Sequence, residues 1–379
     1  MKIVFKDIDR DRFLPFSYTR PLSQMRVGIT TLEEKWTRLF EAEVFWDTED
    51  YLSAKFPNTN DADLIVNALY VPTEDLYEAV EELSSGEALY NGDDFIVSKG
   101  KEQERKQFQG EVLSINHKWE IFQKNGACIK FDFAVMTEDQ MSHPLGQHVN
   151  VIGDGEVFVE EGAKVNGAFF NTSGGPIYIG KNAEVMEGSV IRGPFALGEG
   201  ATIKMSAKIY GDTTIGPHCK VGGEVSNSVI FAYSNKGHDG FIGNSVIGEW
   251  CNLGADTNSS NLKNNYGNVK VWSYQKEELE NTGLQFCGLL MGDHSKTGIN
   301  TMLNTGTVVG VCANIFGAAF PEKFIPSFSW GGAEGFVEFK TEKAVEVADR
   351  MMQRRSVEFT TDDQAIFDEI KNRSQKFRS

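Results

Sequence analysis

The chain of 379 residues is poor in cysteine and carries no excess of positive charge. Its five cysteines, Cys128, Cys219, Cys251, Cys287 and Cys312, are odd in number and scattered, with no C-x-x-C pair. That argues against both a disulfide framework and a thiolate zinc site, and they read as small buried hydrophobes in a reducing compartment. Lysine and arginine number 37 against 54 acidic residues, a net charge of −17. Contact with phosphate backbones needs concentrated Lys and Arg, so nucleic acid is not an expected partner. Long apolar runs are also missing. The longest, Val308 to Phe320, is interrupted by Gly310, Asn314 and Gly317 and is too short to cross a bilayer. The opening MKIVFKDIDRDR meets acidic residues before any apolar core of a targeting signal. The expectation is a soluble, cytoplasmic protein without a membrane partner.

What is present is a repeat. From Ile179 an aliphatic residue returns at every sixth position: Val185, Ile191, Leu197, Ile203, Ile209, Ile215 and Val221. Two residues before the next aliphatic stands something small in most cases, as at Ala183, Ser189, Ala201, Ala207, Thr213 and Cys219. A helix needs a period near 3.6 and a lone strand one of about 2, so neither fits. A six-residue period predicts a left-handed parallel β-helix, three short strands per coil of about 18 residues, aliphatics inward and small residues near the corners. The same register resumes at Phe241, Ile247 and Leu253 and again from Met291 to Ile315; a weaker stretch at Val159–Val165 sets its start near residue 150.

Residues 1–110 alternate strand-like and helix-like signals and predict a small α/β domain. Thr31-Leu-Glu-Glu34 resembles a capping box, and Asn91-Gly92 lies between two strand-like runs as a hairpin turn. Lys99 to Gln109 reads as a charged linker or exposed helix, and 111–149 as a linker. The β-helix is expected over 150–330, followed by helices over 331–379 that cap it, with Thr361-Asp-Asp-Gln364 as a capping box.

Inward side chains of a solenoid only pack, so chemistry is sought where the register slips. The interval from Val221 to Phe241 does not divide by six and carries Lys236 and His238; a second slip, between Leu253 and Met291, carries NSSNLKNNYGN. Histidine is a natural general base near neutral pH. His238 alone lies in a slip, whereas His218 and His294 sit inside regular hexapeptides and read as structural. A zinc carbonic anhydrase on this fold would need three histidines on adjacent coils, and no third accompanies these two, so no metal site is expected in the prism.

The segment SNKGHDGFIGNSVIGEWCNLGADTNSSNLK, Ser234 to Lys263, resembles the acetyltransferase part of the bifunctional family that acetylates and uridylylates glucosamine-1-phosphate. The resemblance implies an acetyl-CoA-dependent transferase acting on an amino-sugar phosphate, with His238 as base and Asn252 and Asn261 as site asparagines. Phe241 stands where the family has a tyrosine, and Asp256 replaces a glycine. The family's phosphate-gripping Arg and Lys are out of register, which leaves Arg192, Lys204 or Lys236 as substitutes. Lys296 and Lys323 are candidate CoA contacts, and the family implies a homotrimer. The whole chain is similar to a compact branch of that family, which shares TRPLSQMRVGITTLEEKW and KTGINTMLNTGTVVGVCANIFG. A nucleotidyltransferase half would use Mg²⁺ to bridge phosphates, yet FLPFSYTRPL replaces the family's glycine-rich loop; Arg20 and Arg26 are the residues expected to meet a nucleotide. Two alternatives stand beside this reading: nucleotidyl transfer alone, and a non-catalytic scaffold that binds sugar nucleotides.

Overall fold

The computed structural model describes residues 1–378. In it, the hexapeptide register winds into a prism of parallel sheets. One sheet has nine strands, from Val157–Val159 to Phe324–Ile325, one has ten, and one has six, from Asn150–Ile152 to Phe241–Gly243. Coil stacks on coil in register, so that Ile179, Leu197, Ile215, Ile230, Ile247, Met291, Val309 and Ile325 form one interior column. All are buried. A single coil cannot bury its own apolar side chains; each gains that burial from its neighbours, at about 1.5–3 kcal/mol per large aliphatic. At one corner His218, Tyr233, Trp250, His294 and Phe328 take positive φ. That conformation costs a side-chain-bearing residue about 1–2 kcal/mol. Stacking offsets it, with His218 on Tyr233 at 5.0 Å and Tyr233 on Trp250 at 4.1 Å between ring centroids. His218 and His294, which stacks on Trp250 at 6.2 Å, thus have packing roles.

The register departs from strict sixes. Val221 is followed inward by Val225 and Ile230, not by Asn227 and Tyr233. Downstream, Ile242 and not Phe241 is the interior residue, since it pairs with Val225 while Phe241 pairs with Glu224.

In the N-terminal region the strands Glu43–Asp47, Lys2–Lys6 and Leu64–Asn67 run parallel, and Asp94–Lys99 and Glu87–Asn91 add the Asn91-Gly92 hairpin. Thr31 caps the helix Leu32–Phe40, accepting from Glu34 N while Glu34 accepts from Thr31 N. The stretch read as a linker or exposed helix, Lys99 to Gln109, contains instead an edge strand, Glu104–Gln107. Its four side chains are exposed and polar, which protects an open sheet edge from further pairing.

The supposed linker 111–149 is also corrected. It holds the helix Asn125–Thr137, which cements the two regions. Asn125 accepts from Gly28 N at 2.7 Å and donates to Asp212 O at 2.9 Å on the prism. Asp132 accepts from Ile29 N at 2.7 Å and pairs with Lys35 at 2.6 Å, both side chains being buried. A further tie comes from the second register slip, whose hairpin Lys270–Ser273/Glu278–Asn281 leaves the prism so that Trp272 O accepts from the buried Lys118 at 2.7 Å. The C-terminal helices, Thr341–Gln353 and Thr361–Ser374, do not plug the prism end, which the strand pair Ser329–Gly332/Gly335–Glu338 closes. Phe367 packs on His294 and Phe328, and Arg373 reaches Glu49 at 3.0 Å. The capping residue is Thr360, with Asp363 as its partner, one position earlier than the sequence suggested. Among the described residues no helix is long and apolar enough to cross a membrane.

Removing one member of a buried ion pair strands the other. Lys35→Met is expected to lower stability by about 3–5 kcal/mol, read by urea unfolding, and Lys35→Met/Asp132→Leu to recover part of that loss.

Candidate functional site

The slip after Val221 has a local cause and a consequence. Gly222 and Gly223 turn the shortened corner, with Gly223 at φ 73°. Any side chain at Gly223 would lie 2.7 Å from the Nζ of Lys236. Lys236 stands where an aliphatic belongs, next to Val221 in a second interior column that runs through Val185, Ile203 and Val221, and is 2% exposed. Its Nζ donates to Gly222 O at 2.9 Å and to His238 O at 2.8 Å. A buried ammonium needs such acceptors because it has lost its water. Burial lowers its pKa to about 8, against an opposing pull from Asp239 and Asp256. Two residues on, His238 emerges into solvent, its imidazole free of hydrogen bonds among the described residues.

His238 stands between two clefts. One, of about 510 Å³, lies over the shortened corner and is lined by Gly222, Gly223, Gly237, Met205, Asp239 and Asp256. The other, of about 580 Å³, carries Asn252 and Asn235, the rings of Tyr233 and Trp250, and cations from both the prism and the C-terminal helix. The missing corner atoms leave the first hollow, and the helix Thr341–Gln353 with the arginines just past it walls the second. An exposed imidazole between a glycine-lined hollow that holds Asp239, Asp256 and Lys204 and a more basic one can take a proton from an amine held on one side while a second reactant lies on the other.

Of the residues expected at the site, His238 and Asn252 share a cleft. Lys236 does not face it: the expectation of a substrate contact is corrected, because the side chain points into the prism and serves as a positioning residue for the loop of His238. Asn261 bonds Asn244 at 2.8 Å and lines neither cleft. Arg192 is exposed at the end of strand Val190–Arg192, away from both. Lys296 donates to His294 O at 2.7 Å and Lys323 to Thr305 Oγ1 at 3.3 Å; burial lowers the pKa of both, and neither lines these clefts. Lys220, Arg354 and Arg355 were not singled out from the sequence. Lys220 sits inside a regular hexapeptide, and the two arginines belong to a segment that no periodicity ties to the prism.

The arginines expected to meet a nucleotide are engaged within the fold. Arg20 is buried and pairs with Asp293 and, at 2.8 Å, with Glu249, both on the prism; Thr19 also donates to Asp293 at 2.6 Å. Burial opposes the charge on Arg20, but the two carboxylates outweigh it and raise its pKa. Arg26 donates to Ile29 O and lies 3.7 Å from Glu34, at the edge of a cleft of about 690 Å³ between the N-terminal region and the prism. Asp7, just past the first strand, is held by Arg10 at 2.6 Å and by Thr48 at 2.6 Å. Among the described residues no three His, Cys, Asp or Glu side chains are grouped to hold a metal, and no step is derived through Mg²⁺.

A two-part architecture of this kind, an α/β region fused to a hexapeptide prism with a basic cleft, defines the class within which relatives fall. Residues 2–141 match the family described as sugar nucleotidyl transferase. The chain is 26% identical over 317 residues to the bifunctional protein GlmU of Methanocaldococcus jannaschii, covering 81% of this chain and 67% of that one. It is 26% identical over 268 residues to the bifunctional sugar-1-phosphate nucleotidylyltransferase/acetyltransferase of Sulfurisphaera tokodaii, covering 69% and 60%. The matched stretch thus spans about two thirds or less of these relatives. The solved polySia-specific acetyltransferase NeuO overlaps 55% of this chain at 14% identity and a TM-score of 0.30, too slight a likeness to bear on function. Over most of its length the chain is thus similar to GlmU-like bifunctional proteins.

The lowered pKa of Lys236 sets a pH signature. Between about pH 8 and the unfolded value of 10.5 the folded state holds fewer protons on this group than the unfolded state, so its contribution to stability rises with pH across that window. Thermal unfolding scans of the wild type from pH 7.5 to 10 should gain against Lys236→Met as pH rises; parallel curves would refute the assignment.

Proposed function

We propose that the protein transfers the acetyl group of acetyl-CoA to the amine of an amino-sugar phosphate of the glucosamine-1-phosphate type. The observation that carries this reading is the free imidazole of His238 raised between two clefts at the register slip, in a segment matching the family's acetyltransferase pattern. His238 accepts the proton that the amine loses as its nitrogen attacks the thioester carbonyl. The new C–N bond forms, the C–S bond breaks, and the CoA thiol leaves. Asn252, in the same cleft, orients the reactants by hydrogen bonding, and Lys236 fixes the backbone from which His238 projects. Asp239 and Asp256 on the opposite side favour an approaching ammonium. Coenzyme A is a donor that the basic cleft fits, since its phosphates need cations.

A homotrimer belongs to the same reading. The outer face of the six-stranded sheet exposes Ile152, Phe169 and Val190, with Tyr210 just past it, and these apolar side chains support packing against a second copy. Nucleotidyl transfer by the N-terminal region is a second activity suggested by the family match over residues 2–141, and the engaged state of Arg20 and Arg26 makes it the weaker of the two. Nucleotidyl transfer alone, or a silent scaffold, leaves the exposed His238 without a role.

The test is thiol release from acetyl-CoA in the presence of glucosamine-1-phosphate. Removing a general base costs roughly 10²–10⁴-fold, so His238→Ala should lose at least the lower figure with unchanged thermal stability. A variant as active as the parent would sink the assignment.

A further inference from the structure

The N-terminal region, the prism and the C-terminal helices meet around one cavity of about 240 Å³, which His238 does not line. That is several times the roughly 30 Å³ a water molecule takes up in the liquid. Its polar wall is unfinished. Arg20 commits its two terminal nitrogens to Glu249, at 2.8 Å, and to Asp293, but its Nε has no partner among the described residues. The Nδ1 of His294 is likewise without one. Both side chains are only 7% exposed, so bulk water does not supply what they lack. The rest of the wall is largely aromatic: Phe56 from the N-terminal region, Trp250 from the prism, and Phe359 and Phe367 from the C-terminal segment.

The charges decide what fits. The carboxylates of Asp293, Glu249 and Asp363 outnumber Arg20 and Lys55, the cations paired with them, and this disfavours an anion. Around His294 the balance is reversed. Burial first, then Lys296, Arg20 and Lys55 hold its pKa well below the ordinary value, so the ring is neutral and its surroundings repel a further cation. A neutral molecule remains. An unpartnered nitrogen of a neutral imidazole is either a donor or an acceptor, and a hydroxyl meets both cases; a hydroxyl oxygen also accepts from the Nε–H of Arg20. Two hydroxyls on one compact frame, with C–H faces to lie against aromatic rings, describe a sugar or a cyclic polyol.

We propose that this cavity binds an uncharged monosaccharide or cyclic polyol, with one hydroxyl on Arg20 Nε, a second on His294 Nδ1 and the ring against the aromatic wall. Such a ligand touches all three parts of the chain and ties them together. The site does not depend on the reading of His238 as a base.

Calorimetric titration of the full chain with glucose and with myo-inositol tests this. One of them should bind the wild type and raise its unfolding temperature. His294→Phe keeps the shape of the ring but not its hydrogen bond, and should weaken binding roughly fivefold, the size of one neutral hydrogen bond. Ile366→Trp, which fills the cavity, should abolish it. A wild-type crystal soaked in the tighter ligand should show its ring in the cavity, and glucose-1-phosphate should not compete for that place. Failure of both ligands to bind, ordered water alone in the soaked crystal, competition by glucose-1-phosphate, or affinity unchanged in His294→Phe overturns the proposal. If Ile366→Trp does not fold, the soaked crystal and His294→Phe decide. His238→Ala should bind the sugar like the parent.

Discussion

Every coil of the prism must set a side chain directly over one in the coil below, and this stacking constraint shapes the molecule around it. Where the chain obeys, an aliphatic fills the slot and the outer surface is merely covered. Where the corner after Val221 is shortened, the next coil still has to supply an interior residue, and it supplies Lys236. A lysine can occupy an aliphatic slot because its stem is apolar, provided its ammonium finds carbonyls at the corner. The carbonyls it finds belong to Gly222 and His238. The defect is thus stitched by the same side chain that fixes where His238 leaves the prism, and the atoms missing from the corner become one of the hollows beside it.

The second structural demand is that the N-terminal region be fixed on the prism. Asn125 and Asp132 of the wedged helix, Arg20 on Asp293 and Glu249, and Lys118 on the carbonyl of Trp272 meet it with buried polar contacts. Buried pairs of this kind bring registry more than net stability, because desolvation consumes much of their attraction. They also remove the very arginine that the sequence TRPL suggested for a nucleotide. Arg20 is a joint between the two parts of the chain, and the large loop between Leu253 and Met291, polar on paper, lends its hairpin to the same joint.

The prism was legible because its rule is one-dimensional: a residue type every six positions leaves a mark in any single sequence, and a break in that mark locates His238. Interior assignment failed at Phe241 and Ile242 because a four- or five-residue step shifts which neighbour points inward, and spacing alone cannot say where the step falls. Lys236 was read as a substrate contact because a lysine next to a histidine in a loop looks exposed; only three-dimensional pairing with Val221 turns it inward. Lys220, Arg354 and Arg355 left no signal because their meaning lies in convergence from distant segments. The wedged helix Asn125–Thr137 was hidden for a different reason: it is buried on several sides, so it has no polar face to set against an apolar one.

The most direct measurement is a crystal structure of the protein with CoA and glucosamine-1-phosphate together. If His238 is the base held at the slip, the sugar amine will lie within hydrogen-bond reach of its imidazole, about 2.6–3.2 Å, with Lys236 still bound to Gly222 O and His238 O. An amine lodged elsewhere, for example in the cleft beside Arg26, with His238 facing empty solvent, would contradict it.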